Sequence, residues 1–297
     1  MECGRNALKQ RNWDVMALCS GYLRSGARIL PEQVDQLQSS CGIGEEEAVL
    51  QLLCAQCGLD YGQRGHREII ERYLRPGLRR LDPGNYRAAA YRRILDHLEV
   101  QQGRWQITQA EYRPFEIFVR DDLQVLADGR EIPQLGYFGE PFPYATVREN
   151  GNDWMTLAPV EINSMKGPVS RSKGEVVTLG LGLGYFAFEA GCRREVSRLT
   201  VVERDAELIS MFRERLLPAF PCREKIALVC MDAFEYVRLV LPRRRPDYLF
   251  CDIWHDAGDG LPLYQKLKRE IPADLPCDYW IENLLRAREQ MLEASDE

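Results

Sequence analysis

The sequence predicts an α/β protein: a parallel β-sheet flanked by helices in the second half, preceded by an all-α N-terminal segment and a small unit of β-hairpins. Three observations predict it. Residues 175–203, EVVTLGLGLGYFAFEAGCRREVSRLTVVE, read as strand, glycine turn, helix and strand. From there to Cys251, short apolar runs alternate with helical periodicity, the signature of repeated βαβ units. Before residue 110 apolar residues recur at spacings of three and four, and after it the period shortens to that of strands.

Taken in order, residues 1–110 read as helices whose apolar stripes run through Trp13, Met16, Leu18, Tyr22 and Leu23, then Val34 and Leu37, then Val49, Leu52 and Leu53. Pro31 holds a favoured first-turn position, and 40–42 breaks the chain before the helix 45–57. Short helices of this kind serve as an interaction module, a lid or a dimer surface. His66 and His97 lie in separate stretches with no acid or cysteine in ligand register, so both are expected to be surface or core residues. Cys54 and Cys57 have C-x-x-C spacing without a second cysteine or histidine pair, and are expected to pack on a core rather than bind a metal.

Between 111 and 168 the reading is two hairpins and a linking helix. Residues 115–119 form a strand and 127–130 a turn, while 144–148 and 153–157 flank Asn150-Gly151, a strong hairpin signal. Residues 159–168 form a short helix before the sheet, where Glu161 and Asn163 either cap the helix or face a substrate. In the sheet, strand 176–179 leads into Gly180, Gly182 and Gly184, helix 185–190 follows, and Gly191 is placed for a left-handed cap. Strand 199–202 ends on Glu203, helix 206–217 stops at Pro218, and strand 226–229 precedes Asp232 and Ala233. Strand 248–251 ends on Asp252. The loop 252–260 then carries Asp252, His255 and Asp256, followed by helix 261–268, strand 279–281 and helix 283–291.

A glycine turn lets backbone approach a ligand closely. A carboxylate at the tip of the next strand, here Glu203, is placed for two adjacent ribose hydroxyls, so the unit asks for a nucleoside. A dinucleotide fingerprint would need glycine at 185, where the chain has Tyr185; Gly184 gives the shorter G-x-G-x-G instead. This turn, Glu203, Asp232-Ala233 and Asp252, in that order over about 175–285, resemble the class I S-adenosylmethionine (SAM)-dependent methyltransferases. The resemblance implies a Rossmann-like sheet and SAM as cofactor. It assigns Gly180, Gly182, Gly184 and Tyr185 to the turn, Glu203 to the ribose, Asp232 and Ala233 to the adenine, and Asp252 to the neighbourhood of the methyl group. Asp252, His255 and Asp256 are the candidate catalytic residues, because strand-end loops carry ligands and histidine changes charge near neutrality. The family's sheet ends in an antiparallel hairpin, for which too few residues follow Asp252, so the sheet is expected to be shortened at its C-terminal end. Thr178 replaces the acid that many of these enzymes carry before the first glycine.

The preceding hairpins are similar to those of the spermidine synthases, whose turn reads G-G-G-D-G-G and whose fourth strand ends D-S-x-D-P. Leu183 and His255 stand where that family has acids, which removes charge from a polycation site. Aminopropyl transfer from decarboxylated SAM is therefore the second reading, methyl transfer to a small or medium-sized acceptor the first, and a non-catalytic SAM-binding sensor or scaffold the third. The GLGLGYF turn and WHD loop also resemble those of uncharacterised bacterial SAM-methyltransferase-like proteins. The domain expectation is 1–110 helical, 111–168 hairpins and linking helix, and 169–297 SAM-binding.

Composition bounds the partners. A chain of 297 residues with 45% hydrophobic and 28% charged residues is an ordinary globule of about two domains. A net charge of -6 argues against a nucleic-acid footprint, and runs such as Arg243–Arg245 read as solvated connections. Ten cysteines without an apolar leader point to a reducing, cytoplasmic setting, and no apolar run is long enough for a membrane span. The expected partner is a small-molecule acceptor, and the N-terminal helices or the hairpins are the surfaces through which a homodimer would form.

Overall fold

The computed structural model describes residues 2–87, 89–96 and 98–295; His97 lies outside the described residues. Its contacts group into two units. Residues up to Asn85, with Glu111–Pro143 and the segment from Glu293, form one, and Tyr86–Ala110 with Tyr144–Leu292 form the other.

The second unit is built on five parallel strands: β1 (Gly174–Leu179), β2 (Val196–Glu203), β3 (Ile226–Cys230), β4 (Tyr248–Cys251) and β5 (Cys277–Tyr279). Val176, Val177 and Leu179 on β1 and all four residues of β4 are buried, as strands covered on both faces must be. The strand order is β3-β2-β1-β4-β5, with Val176 paired to Leu199 on one side and to Tyr248 on the other. Chain direction across the sheet reverses between β1 and β4, which opens a crevice beyond their carboxyl ends. This is a mixed α/β, Rossmann-like sheet. Its helices are α1 (Tyr185–Gly191), α2 (Ala206–Arg215), α3 (Ala233–Leu239), α4 (Ala257–Glu270) and α5 (Glu282–Ser295).

Three boundaries differ from the sequence reading. Gly191 lies inside α1 rather than in a left-handed cap, and its bare Cα serves packing: a Cβ there would sit 3.0 Å from Cys222 Sγ. Helix α4 starts four residues early because Asp256 and Asp259 cap it reciprocally. Strand β5 ends at Tyr279 rather than reaching Ile281, whose φ of 48° cannot continue an extended chain.

Most of a four-stranded sheet of Val100–Gln102, Trp105–Tyr112, Phe142–Glu149 and Asn152–Thr156, in that spatial order, also lies in this unit, its first two and last two strands pairing antiparallel. The last two form the expected hairpin, with Asn150 (φ 52°) and Gly151 (φ 84°) supplying the left-handed pair that a two-residue turn requires. The first two correct the expectation that 1–110 is all-α. Trp105 and Ile107 are buried while Gln106 and Thr108 are not, a period of two that the helical reading passed over.

The first unit carries the helices Glu2–Ser25, Pro31–Cys41 and Glu45–Gln56, and a helix from Arg64 that passes through a π-helical turn, Ile70–Leu74. Val15, Val34, Val49, Leu53 and Ile70 form its core, and Cys54 is buried among them. His66 Nδ1 accepts the Asp60 backbone N–H, a structural use. Leu78–Arg80 is again a strand within the stretch expected to be helical, paired parallel to Leu135–Tyr137. The strand expected at 115–119 is reduced to Phe118–Val119, since Phe115 has φ 61°. The turn at 127–130 joins Gln124–Val125 to Glu131–Ile132. Among the described residues, no helix is long and apolar enough to cross a membrane.

Candidate functional site

The crevice beyond β1 and β4 is a cavity lined within the second unit by the glycine turn, Glu203, the 231–234 segment, the start of the 252–260 loop, Glu161, Trp154, Met155 and Trp280. Gly180 (φ 101°) donates its N–H to Val202 O, and a Cβ there would fall 1.8 Å from the Asp252 carbonyl. Only glycine lets the turn pass this close to the end of β4. Gly182 also lines the cavity; Gly184 and Tyr185 do not. Gly184 opens α1 with φ 80° and abuts Phe212, and Tyr185 is buried edge-on to Tyr91 with ring centroids 5.6 Å apart. Tyr91 donates its hydroxyl to Leu183 O, so a residue far away in sequence pins the turn. The Leu183 N–H meets Met155 Sδ at 3.1 Å.

Glu203 accepts the Leu181 N–H at 3.3 Å and the Asp205 N–H at 2.9 Å. Burial pushes its carboxyl up, and the backbone N–H groups of Leu181 and Arg204, with the Arg204 charge, partly oppose that. Asp232 caps α3, its Oδ1 accepting from Phe234 and Glu235 at 2.9 and 3.1 Å. Ala233 beside it is buried on the cavity wall. Four carboxylates therefore line the space, Glu161, Glu203, Asp232 and Asp252, against one guanidinium, that of Arg204.

Asp252 donates its backbone N–H to Leu179 O at 2.8 Å, and loss of surrounding water pushes its carboxyl up to about 7. Glu161, on the helix Pro159–Ser164, is 6% exposed, and its carboxyl is raised by burial first and by the charge of Asp252 second. Its Oε2 has no hydrogen-bond partner among the described residues, nor has Trp254 Nε1. Asn163 turns elsewhere, donating to Tyr86 OH at 3.0 Å and accepting from Lys166 Nζ at 2.7 Å.

The His255 ring lies at the cavity rim, its Nε2 3.2 Å from Asp153 O and its centroid 6.1 Å from that of Trp154. A carbonyl only accepts, so Nε2 carries the hydrogen and Nδ1 is left as an acceptor in the neutral ring. Asp256 is not brought to the cavity. It is exposed and caps α4, accepting from the backbone N–H groups of Gly258 and Asp259. The loop thus divides its three candidates: Asp252 and His255 face the space, and Asp256 builds the helix behind it. Trp154, Met155, Trp280 and Tyr91 were not singled out by sequence. Their places follow from strand pairing and side-chain packing, and the hairpin signal at Asn150-Gly151 was the only local pointer to the first two.

No protein-family pattern matches the chain, and no curated protein matches it in sequence. Among solved structures it is similar to the precorrin 8W decarboxylase of Methanobacterium thermoautotrophicum, at 18% identity over 41% of this chain and 63% of that one, with a TM-score of 0.30. It is also similar to the spermidine synthase of Thermotoga maritima, at 16% identity over 56% of this chain and 51% of that one, with a TM-score of 0.32. The chain thus spans less than two thirds of either protein's length. The fold statement rests on the strand order, which makes this a Rossmann-like α/β chain with a carboxylate-lined cavity at its topological switch point.

Proposed function

We propose that the cavity binds S-adenosylmethionine and that the protein transfers its methyl group to a small or medium-sized acceptor. The observation that carries this reading is the convergence of Gly180, Gly182, Glu203, Asp232-Ala233 and Asp252 on one cavity, in the order the sequence spaces them. The residues fit the group. The Glu203 oxygens that hold Leu181 and Asp205 keep lone pairs for ribose hydroxyls. Asp232 spends Oδ1 on capping, which leaves its second oxygen for an exocyclic amine. The sulfonium supplies an activated methyl carbon when bound. The chain's own work is then to align the acceptor, exclude water and take one proton, for which Asp252 and His255 Nδ1 are the candidates.

Titration calorimetry with SAM and with its demethylated product tests the assignment. Binding of neither at millimolar ligand, with NAD bound instead, overturns it. Glu203→Ala is expected to weaken SAM by about 1 to 3 kcal/mol, the cost of losing a buried charged acceptor. Incubation with SAM or decarboxylated SAM against amines, phenols and thiols, read by mass, separates the three activities. A methyl gain supports the proposal, an aminopropyl gain replaces it with the spermidine synthase-like activity, and tight SAM binding without transfer to any acceptor leaves a sensor.

A further inference from the structure

Two of the four cavity carboxylates are already employed. Glu203 holds two backbone N–H groups and Asp232 caps α3. Glu161 and Asp252 are not so employed: among the described residues neither side chain forms a salt bridge, and Glu161 Oε2 has no hydrogen-bond donor although the residue is 94% buried. A buried carboxylate without a donor is costly, and the charge of Asp252, half-buried on the same lining, adds to the cost at Glu161 unless a ligand supplies the donor and the positive charge. The other polar groups of the lining do not meet this need. Arg204 follows Glu203 at the end of β2, and His255 gives its Nε2 hydrogen to Asp153 O. Aromatic walls complete the space, with Trp154, Trp254, Trp280 and Phe234 all on the lining. Carboxylates within an aromatic box suit an organic cation that donates hydrogen bonds.

We propose that Glu161 and Asp252 together seat a single ammonium group, so that the methyl acceptor is a primary or secondary monoamine with an apolar or aromatic body. This rests on the methyl-transfer reading above for the reaction, though not for the binding. One nitrogen, not two, follows from the lining: Glu203 and Asp232 each already accept two backbone N–H groups, which leaves Glu161 and Asp252 as the one pair whose charge no protein donor offsets among the described residues. In the reaction the ammonium gives one proton to the Asp252 carboxylate, which frees the nitrogen lone pair. That pair forms the nitrogen–carbon bond as the carbon–sulfur bond breaks, and the bonding electrons of the latter stay on sulfur. The products are the methylated ammonium and the neutral thioether nucleoside, and the Asp252 proton returns to solvent.

The test begins without SAM. The full chain is titrated with butylamine, benzylamine and phenethylamine, with the corresponding alcohols, and with 1,4-diaminobutane. Amines are expected to bind at least about ten-fold tighter than the alcohols, with no ten-fold gain for the diamine. Glu161→Gln keeps the side-chain volume and removes the charge. It is expected to weaken amine binding about ten-fold or more while its melting temperature stays at or above that of the parent, which separates a lost seat from a lost fold. Asp252→Asn is expected to do the same. Alcohols binding as well as amines, a diamine favoured ten-fold, unchanged amine affinity in Glu161→Gln, or no amine bound at tens of millimolar would each overturn the proposal. With SAM added, methylation of phenols or thiols but of no amine also overturns it. Failure of SAM itself to bind removes the methyl-transfer reading and leaves the amine titration to decide the seat.

Discussion

Asp252 retains its proton to about 7, whereas an aspartate in water releases it near 3.8. Between those values the folded chain binds more protons than the unfolded chain, so this group's contribution to stability is full below 3.8 and is lost as pH rises through 7. Glu161 is shifted in the same direction, by burial and by Asp252. Asp252→Asn is therefore expected to melt higher than the parent at pH 8, by several degrees at about 1.4 kcal/mol per pKa unit, with the gap closing towards pH 4. Scanning calorimetry across that range checks it, and a gap independent of pH would contradict it. Gly180→Ala is expected to cost more than about 3 kcal/mol, since the new Cβ collides with backbone and the residue sits at φ 101°. A variant as stable as the parent in urea unfolding would show that the turn can yield. Glu203 and Asp232 were legible in sequence because each follows an apolar strand at a fixed offset. The unpartnered oxygen of Glu161 was not, since capping and ligand-facing roles look alike until tertiary packing chooses.

At the scale of elements, α4 separates construction from chemistry within one loop. Asp256→Ala is expected to cost about 1 kcal/mol of stability through loss of the cap and to leave SAM affinity unchanged, checked by melting and by calorimetry on the same sample. A fall in affinity without a fall in melting temperature would return Asp256 to the site. Strands β1 and β4 were readable because strands buried on both faces become unbroken apolar runs, as in Tyr248–Cys251, and the half-buried edge strand β3 was readable from its apolar run Ile226–Val229. Trp105–Tyr112 was harder. Its alternation is carried by Trp105 and Ile107 alone, and Gln109 to Glu111 dilute it. The three-residue strand Leu78–Arg80 has no local signal, because its partner Leu135–Tyr137 is far along the chain.

For the whole molecule, the expected linear partition at 110 and 168 does not coincide with the two units, which interleave along the chain. A propensity reading sees neighbours in sequence, whereas the units are defined by contacts such as Leu78 with Leu135. A fragment ending at 110 is thus expected to be insoluble or to lose near-ultraviolet dichroism, since it strands Leu78–Arg80 without its partner and splits Trp105–Tyr112. A sharp, cooperative melt of that fragment would contradict this. The interleaving also bears on synthesis. With chain growth at about 5–20 residues per second, Leu78–Arg80 waits several seconds on the ribosome for its partner to emerge. The segment from Tyr86 waits about as long, for the rest of its unit, which resumes at Tyr144. Because the cavity draws on both Trp154 and Trp280, no ligand can support the nascent chain during that interval; its rescue by ligand begins only when synthesis is nearly complete.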